Sequence, residues 1–153
     1  MPLRSPVSAL DAHAGYWLRF VSNHVSHAFK RKVEAHGVTV AEWVLLREMF
    51  DAGATHPSQL ADALGLTRGT VSKLVARLGR KKLAAQNSAA GDRRYQTVAL
   101  TPAGKKIVPI LARLADANDR EFFGHLKPEQ QARLVRLLRD IVRRQGWKES
   151  PLE

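Results

Sequence analysis

A connection of only two residues, Gly65-Leu66, joins two patterns that each predict a short helix, and it constrains the fold more than any other feature. Pro57 suits the first position of the earlier helix, and Thr67 is a typical N-cap for the later one. The earlier helix directs Leu60, Ala61 and Leu64 inward. The later helix has a narrow apolar stripe, formed by Val71, Leu74, Val75 and Leu78. Two helices joined so closely pack against each other as a helix-turn-helix.

Positive charge is concentrated on the later of these two helices. Residues 67–82 contain six basic side chains and no acidic one, whereas residues 38–66 contain four acidic side chains and one basic. The whole chain of 153 residues has a net charge of +11. A soluble protein this basic usually binds a polyanion such as nucleic acid, and the alternative is a solvated basic surface without a partner.

The face opposite the apolar stripe is made of small and basic residues: Arg68, Gly69, Ser72, Lys73, Ala76 and Arg77. A helix that enters the major groove needs a slim first turn and side chains that reach the bases. Arg68 and Lys73 can reach guanine acceptors, the hydroxyls of Thr70 and Ser72 can bind phosphate or base edges, and the first backbone amides attract phosphate. We therefore predict that the helix Thr67–Lys82 reads DNA. The alternative is an ordinary exposed amphipathic helix with surplus basic residues.

The sequence before this motif predicts two further helices. Ser8 and Asp11 have the spacing of a capping box and predict a first helix of ~28 residues that ends at Gly37. Thr39 and Glu42 form a second capping box, which opens a helix through Phe50. The inward candidates of that helix are Trp43, Val44, Leu46, Met49 and Phe50.

The sequence after the motif predicts two short strands over residues 84–101, around a turn at residues 88–91, which together form a wing. Asp92, Arg93 and Arg94 lie at the tip. An arginine there can enter a narrow minor groove, and the adjacent aspartate can hold it in position. The alternative is a polar turn with solvated charges.

Two more helices are predicted at the C-terminal end. Thr101-Pro102 opens a fifth helix, which Pro109 should kink, and Pro128 opens a sixth that ends at Gly146. Their apolar candidates are Ile107, Ile110, Leu111, Leu114 and Phe122, then Leu134, Leu137, Leu138, Ile141 and Val142. The first, fifth and sixth helices have more apolar surface than one lobe can cover, so we predict a homodimer with two-fold symmetry. Such a dimer places two recognition helices ~34 Å apart, in successive major grooves, and the alternative is a monomer that folds its own termini together.

The predicted fold is mainly α with a small β-hairpin wing. Residues 1–153 form a single domain, in which a winged helix-turn-helix lobe at 38–101 lies between helical dimerisation segments at 8–37 and 102–146.

Four segments together resemble the MarR (multiple antibiotic resistance regulator) family: LADALGLT at 60–67, TVSKLV at 70–75, GDRR at 91–94 and VALTPAG at 98–104. The resemblance covers about residues 10 to 145, and the stretch from 92 to 104 is its most specific part. It implies a homodimer that binds a palindromic operator, usually as a repressor that a small, often aromatic, ligand releases.

At matching positions the resemblance assigns base reading to Arg68, Gly69, Thr70 and Lys73, and minor-groove contact to Arg94, which Asp92 braces. The chain departs from the family on the wing strands. Many members have basic residues where this chain has Ala85-Gln86-Asn87, and near Gln96 or Ala99. The wing is therefore expected to make fewer phosphate contacts.

A small-molecule effector would bind where the first and second helices meet. Trp17, Phe20, His24, Trp43 and Arg47 are the candidates there, and an aromatic carboxylate could place its anion near His24 or Arg47. The alternative, which is the more common case, is that the two tryptophans belong to the core. His24 and His27 are one turn apart, but without a nearby acid or any cysteine they do not predict a metal site, and no cofactor is expected.

Other functional classes have little support. The chain has no phosphate-binding loop, no nucleophile elbow, no dinucleotide-binding glycines and no HExxH motif, so an enzyme is not expected. The absence of a membrane-length apolar run and of a signal peptide predicts a cytoplasmic protein without membrane contact. A non-specific architectural DNA-binding protein and a winged helix that binds only protein remain as alternatives.

Overall fold

The computed structural model describes residues 7–88, 96–149 and 151–152. Its elements follow the predicted order: a 3-10 turn at Leu10–Ala12, then α1 (Ala14–Glu34), α2 (Val40–Ala52), α3 (Pro57–Leu64), α4 (Arg68–Arg80), β1 (Ala84–Ser88), β2 (Gln96–Leu100), α5 (Pro102–Phe123) and α6 (Pro128–Gln145). The expected fold class, mainly α with one β-hairpin, is confirmed.

Three threonines begin α2, α4 and α5 as the sequence predicts. The Oγ1 atoms of Thr39, Thr67 and Thr101 each accept a hydrogen bond from the backbone N–H three residues later, at 3.1 Å. Each bond satisfies an amide that has no partner inside the helix. Local side-chain chemistry therefore fixes the starts of these helices.

The first helix is shorter than predicted. His13 has extended backbone angles (φ −96°, ψ 124°), so α1 begins at Ala14 and has 21 residues. The expected capping box of Ser8 and Asp11 is wrong, because the segment before His13 closes as a 3-10 turn through the backbone bonds Ala12 N to Ala9 O and His13 N to Leu10 O. At its other end, Gly37 has a φ of +74°, which favours glycine and ends the helical path as predicted.

The core lies in the helix-turn-helix lobe. The predicted stripe of α4 is fully confirmed, with Val71, Leu74, Val75 and Leu78 buried, and Leu60 and Ala61 of α3 are buried beside it. The core also takes in Val98 and Leu100 of β2, and Val108 and Leu111 of α5.

The inward face of α2 was predicted only in part. Leu46 and Met49 are buried as expected, but Phe50 is exposed and Trp43 and Val44 are half-buried. The core face is instead formed by Glu42, Leu45, Leu46 and Met49. Their spacing of three and four residues is one helical stripe, and a carboxylate occupies its first position.

The two strands form an antiparallel hairpin in which Ala84 pairs with Leu100 and Ser88 pairs with Gln96. Thr55, between α2 and α3, adds an isolated bridge to Val98. The predicted turn at 88–91 is described only at Ser88, which ends β1. Residues 89–95 lie outside the described ranges.

Helix α6 and the first half of α1 keep most of their large apolar residues exposed, whereas α5 exposes few. Helix α6 has no buried residue, and its exposed apolar residues include Leu137, Leu138, Ile141 and Val142. Trp17, Leu18, Phe20 and Val21 are exposed on the first half of α1. In α5, Leu111 is buried as predicted. Val108 is also buried, which was not predicted, and Ile110 is exposed although it was an apolar candidate. Helix α5 continues through Pro109 to Phe123.

No helix in the described ranges is long and apolar enough to cross a membrane.

Candidate nucleic-acid interface

The leading half of α4 presents an open basic face. Thr67, Arg68, Gly69, Ser72 and Lys73 are exposed and Thr70 is half-buried. The hydroxyls of Thr67 and Thr70 are 2.9 Å apart and bond to each other. Within the described part of the chain, the side chains of Arg68 and Lys73 have no hydrogen-bond or ion-pair partner, so both cations are available to an external anion.

Gly69 has no structural reason to be glycine. A Cβ at this position would meet only Thr67 Oγ1, at 4.0 Å, and the backbone does not adopt a positive φ there. Glycine in a helix costs about 0.5–1 kcal/mol relative to alanine. The chain itself leaves room for a methyl group, so a close approach by another molecule explains the missing side chain best.

Arg77 lies one turn after Lys73, but its guanidinium is directed toward the protein. Its Nη2 donates to Glu42 Oε1 at 2.8 Å and to Thr39 Oγ1 at 3.5 Å. The prediction placed Arg77 on the open face, and the structure instead gives it a carboxylate partner and leaves it half-buried. A role for Arg77 in DNA binding stays a prediction.

Lys81 completes a charged cluster around Glu42. Its Nζ donates to Glu42 Oε2 at 2.7 Å, to Oε1 at 3.0 Å and to the carbonyl of Gly37 at 2.8 Å. Glu42 itself is 0% exposed. The predicted capping box at Thr39 is therefore half right: the threonine caps α2, but the carboxylate binds cations of α4. The spacing of Glu42 with Leu45, Leu46 and Met49 was the sequence signal for its burial.

The wing is described only along its strands. The predicted contacts Asp92, Arg93 and Arg94 lie outside the described residues. On the strands, Gln96 Nε2 donates to Gln86 Oε1 at 2.8 Å, and this pair carries no charge.

None of the five predicted ligand residues lines the cavity that the structure shows. Trp17, Phe20, His24 and Arg47 are exposed and Trp43 is half-buried. Trp17 donates to the carbonyl of Asp11, the rings of Phe20 and His24 lie 5.2 Å apart, and Arg47 pairs with Asp51 at 2.7 Å. Their role in ligand binding stays a prediction.

A cavity of about 550 Å³ lies nearby, between α1, the beginning of α2 and α4. Phe29, Lys30, Val40 and Arg77 are among its lining residues, and Pro151 and Leu152 of the C-terminal segment close one side. It thus combines an apolar wall with two cations that already have carboxylate partners: Lys30 lies 3.9 Å from Glu34, which also lines the cavity, and Arg77 is paired with Glu42. Across the described ranges, no group of three or more histidine or acidic residues is arranged to hold a metal ion.

Comparison with known proteins identifies the same lobe. A sequence model of the MarR family matches residues 36–94. The transcriptional regulator HosA of Escherichia coli O157:H7 is 28% identical over 116 residues, which cover 76% of this chain and 86% of HosA.

Solved structures extend the likeness to the outer helices. BpsR of Bordetella bronchiseptica, studied for the regulation of its DNA binding by 6-hydroxynicotinic acid, has a TM-score of 0.76 at 27% identity over 90% of this chain and 99% of BpsR. MepR of S. aureus in complex with DNA has a TM-score of 0.72 at 25% identity over 85% of this chain and 96% of MepR. The family match covers the helix-turn-helix and the likeness of fold covers nine-tenths of the chain, so this winged-helix protein is similar to MarR-family regulators over both regions.

Proposed function

We propose that the protein is a transcription regulator that binds a specific double-stranded DNA sequence. The observation that carries this proposal is the leading half of α4, where Arg68 and Lys73 have no partner within the described chain and surround a glycine that the fold does not require. A slim helix with free donors suits the major groove. Asp92, Arg93 and Arg94 are proposed to contact the minor groove.

The proposed assembly is a homodimer on a palindromic operator. The uncovered apolar residues of α1 and α6 support it, because large exposed apolar patches usually mark a surface that another protein covers. A second copy of the chain covers these residues by two-fold symmetry and places two α4 helices side by side. Repression, with release by a small effector, is the mode that the family suggests.

The proposed effector is a small organic anion with an apolar ring, bound in the cavity between α1, α2 and α4. A volume of about 550 Å³ lies within the ~300–1,000 Å³ typical of ligand sites. Phe29 and Val40 offer apolar contact. Lys30 lies 3.9 Å from Glu34, and Arg77 shares the carboxylate of Glu42 with Lys81, so an effector anion would compete with these carboxylates for the two cations. BpsR responds to 6-hydroxynicotinic acid, a ring of this kind. Melting curves with salicylate and with its neutral analogue salicylamide should show stabilisation by the acid only, and equal behaviour of the two would contradict an anion site.

The central experiment is selection of bound duplexes from a random-sequence library, followed by affinity measurements on the selected and on a scrambled duplex. We expect a palindrome, a preference of at least ~10³-fold, and affinity that falls steeply with salt. A preference near one would favour the architectural alternative. Affinity without salt dependence would favour a winged helix that binds protein only.

A further inference from the structure

The buried carboxylate of Glu42 connects three parts of the molecule. It lies in the first turn of α2, and it receives Arg77 from the last turn of α4 and Lys81 from just beyond that turn. Lys81 also binds the carbonyl of Gly37, in the connection that follows α1. The end of the recognition helix is therefore bound both to α2 and to the segment leading from the outer helix α1.

The cluster is not explained by stability alone. A buried ion pair loses much of its attraction to the cost of removing charges from water, and apolar replacements are often as stable. Here, moreover, the two cations stay partly exposed, with 41% and 37% of their side chains accessible, while the carboxylate is fully buried. Such an arrangement fixes the orientation of α4 relative to α2 more effectively than it raises the free energy of unfolding.

The cluster also determines which cations of α4 are free. Arg68 and Lys73 have no carboxylate partner within the described chain, whereas Arg77, one turn after Lys73, is paired with Glu42, a carboxylate that it shares with Lys81. A free guanidinium at that position could bind phosphates of any sequence, since phosphate contacts carry no sequence information. Pairing with Glu42 limits the contribution of Arg77 to non-specific DNA binding.

We propose that Glu42 is a positioning residue for sequence-specific DNA recognition. It fixes the orientation of α4 relative to α2, and it withholds Arg77 and Lys81 from non-specific phosphate contact. This inference rests on the proposed function, because it concerns how the same helix discriminates between sequences.

The test is Glu42→Gln, measured on the selected duplex and on its scrambled counterpart over a range of salt concentrations. Glutamine keeps the shape of the side chain and removes its charge. We expect the preference for the selected duplex to fall by about 10-fold, with undiminished affinity for the scrambled duplex and a salt slope steeper by about 1 per added phosphate contact. A merely structural role would weaken binding to both duplexes in parallel.

A matched pair of lysine variants covers the case in which Glu42→Gln does not fold. Lys81→Gln removes the bond to Gly37 and one cation of the cluster, and should lower the preference by about 3-fold. Lys106→Gln removes the same charge from an exposed position of α5, where the side chain has no partner within the described ranges, and should leave the preference unchanged. A wild-type preference in both Glu42→Gln and Lys81→Gln, or a parallel loss on both duplexes with a lowered melting temperature, would overturn the inference. If the wild-type protein itself selects no sequence, the proposed function fails instead.

Discussion

Helices α4 and α6 have the same kind of sequence but different surroundings. Both are amphipathic and rich in arginine, yet α4 buries four apolar residues in 13 positions and α6 buries none in 18. The contrast shows that periodicity specifies an apolar face without specifying what covers it. In α4 the cover is the rest of the lobe, and in α6 we propose a second copy of the chain.

The largest difference should appear when one leucine is truncated in each helix. Leu78 of α4 is 0% exposed, and Leu78→Ala should lower the free energy of unfolding by about 2–5 kcal/mol, through lost burial and a cavity. Leu138 of α6 is 38% exposed, so Leu138→Ala should instead shift the monomer–dimer equilibrium. Urea unfolding at several protein concentrations separates the two effects.

The comparison fails if the two variants behave alike. An effect of Leu138→Ala that is independent of protein concentration would mean that its face is covered within one chain. An effect of Leu78→Ala that vanishes at high concentration would place α4 at the interface between subunits.

A second comparison concerns exposed cations of the two helices. Lys73→Ala should cost about 1–3 kcal/mol of binding to the selected duplex and reduce its preference over the scrambled one, because a base contact is lost. Arg136→Ala, an exposed cation of α6 without a partner in the described residues, should leave the preference unchanged. Equal losses on both duplexes for Lys73→Ala would show that this lysine contacts phosphate rather than bases.

These differences also show what could be predicted from the sequence. The caps at Thr39, Thr67 and Thr101 and the stripe of α4 were correct because they depend on residues close together in the chain. The assignment of Phe50 to the core was wrong, and Trp43 packs against the core only at its edge, because large apolar residues also occupy the edges of a helical stripe and only tertiary packing selects the face.

For the candidate site, too, local features were predictable from the sequence and tertiary contacts were not. The exposure of Arg68, Gly69 and Lys73 followed from helical periodicity. The partner of Arg77 did not, because Glu42 lies 35 residues earlier in the chain and a local capping role was the simpler interpretation of its position. Contacts between distant segments are set by packing, which composition and spacing do not encode directly.

A third prediction uses the two glycines of α4, whereas α6 has none. Gly69→Ala should stabilise the protein by about 0.5–1 kcal/mol, because the site has room for a methyl group, and should weaken binding to the selected duplex. Gly79→Ala is the matched control: a Cβ there meets Ala84 O only at 4.0 Å, and the site lies near the far end of the helix.

Thermal melting and duplex affinity distinguish the two positions. Gly79→Ala should raise the melting temperature with little change in affinity. Wild-type affinity in Gly69→Ala would show that the first turn of α4 does not approach DNA closely.

The smallest effect concerns a second carboxylate that binds two cations. Asp140 of α6 accepts hydrogen bonds from Arg143 at 2.8 Å and Arg144 at 2.7 Å, and these bonds hold the pKa of its carboxyl below the ordinary 3.8. A lowered pKa stabilises the folded state above the unfolded value, and this stabilisation is lost as the pH falls through the folded value. Asp140→Asn should therefore lower the melting temperature slightly at pH 7, and the difference should vanish in acid.

Asp119→Asn, an exposed position of α5 without a partner in the described ranges, controls for the loss of negative charge. Since Asp140 is exposed to solvent, added salt should also reduce its effect, unlike that of Glu42→Gln. Both carboxylates bind a pair of cations, so burial is the variable that separates them. If Asp140→Asn lowered the melting temperature as much as Glu42→Gln, or changed the preference between duplexes, burial would not be what makes the Glu42 cluster a positioning device.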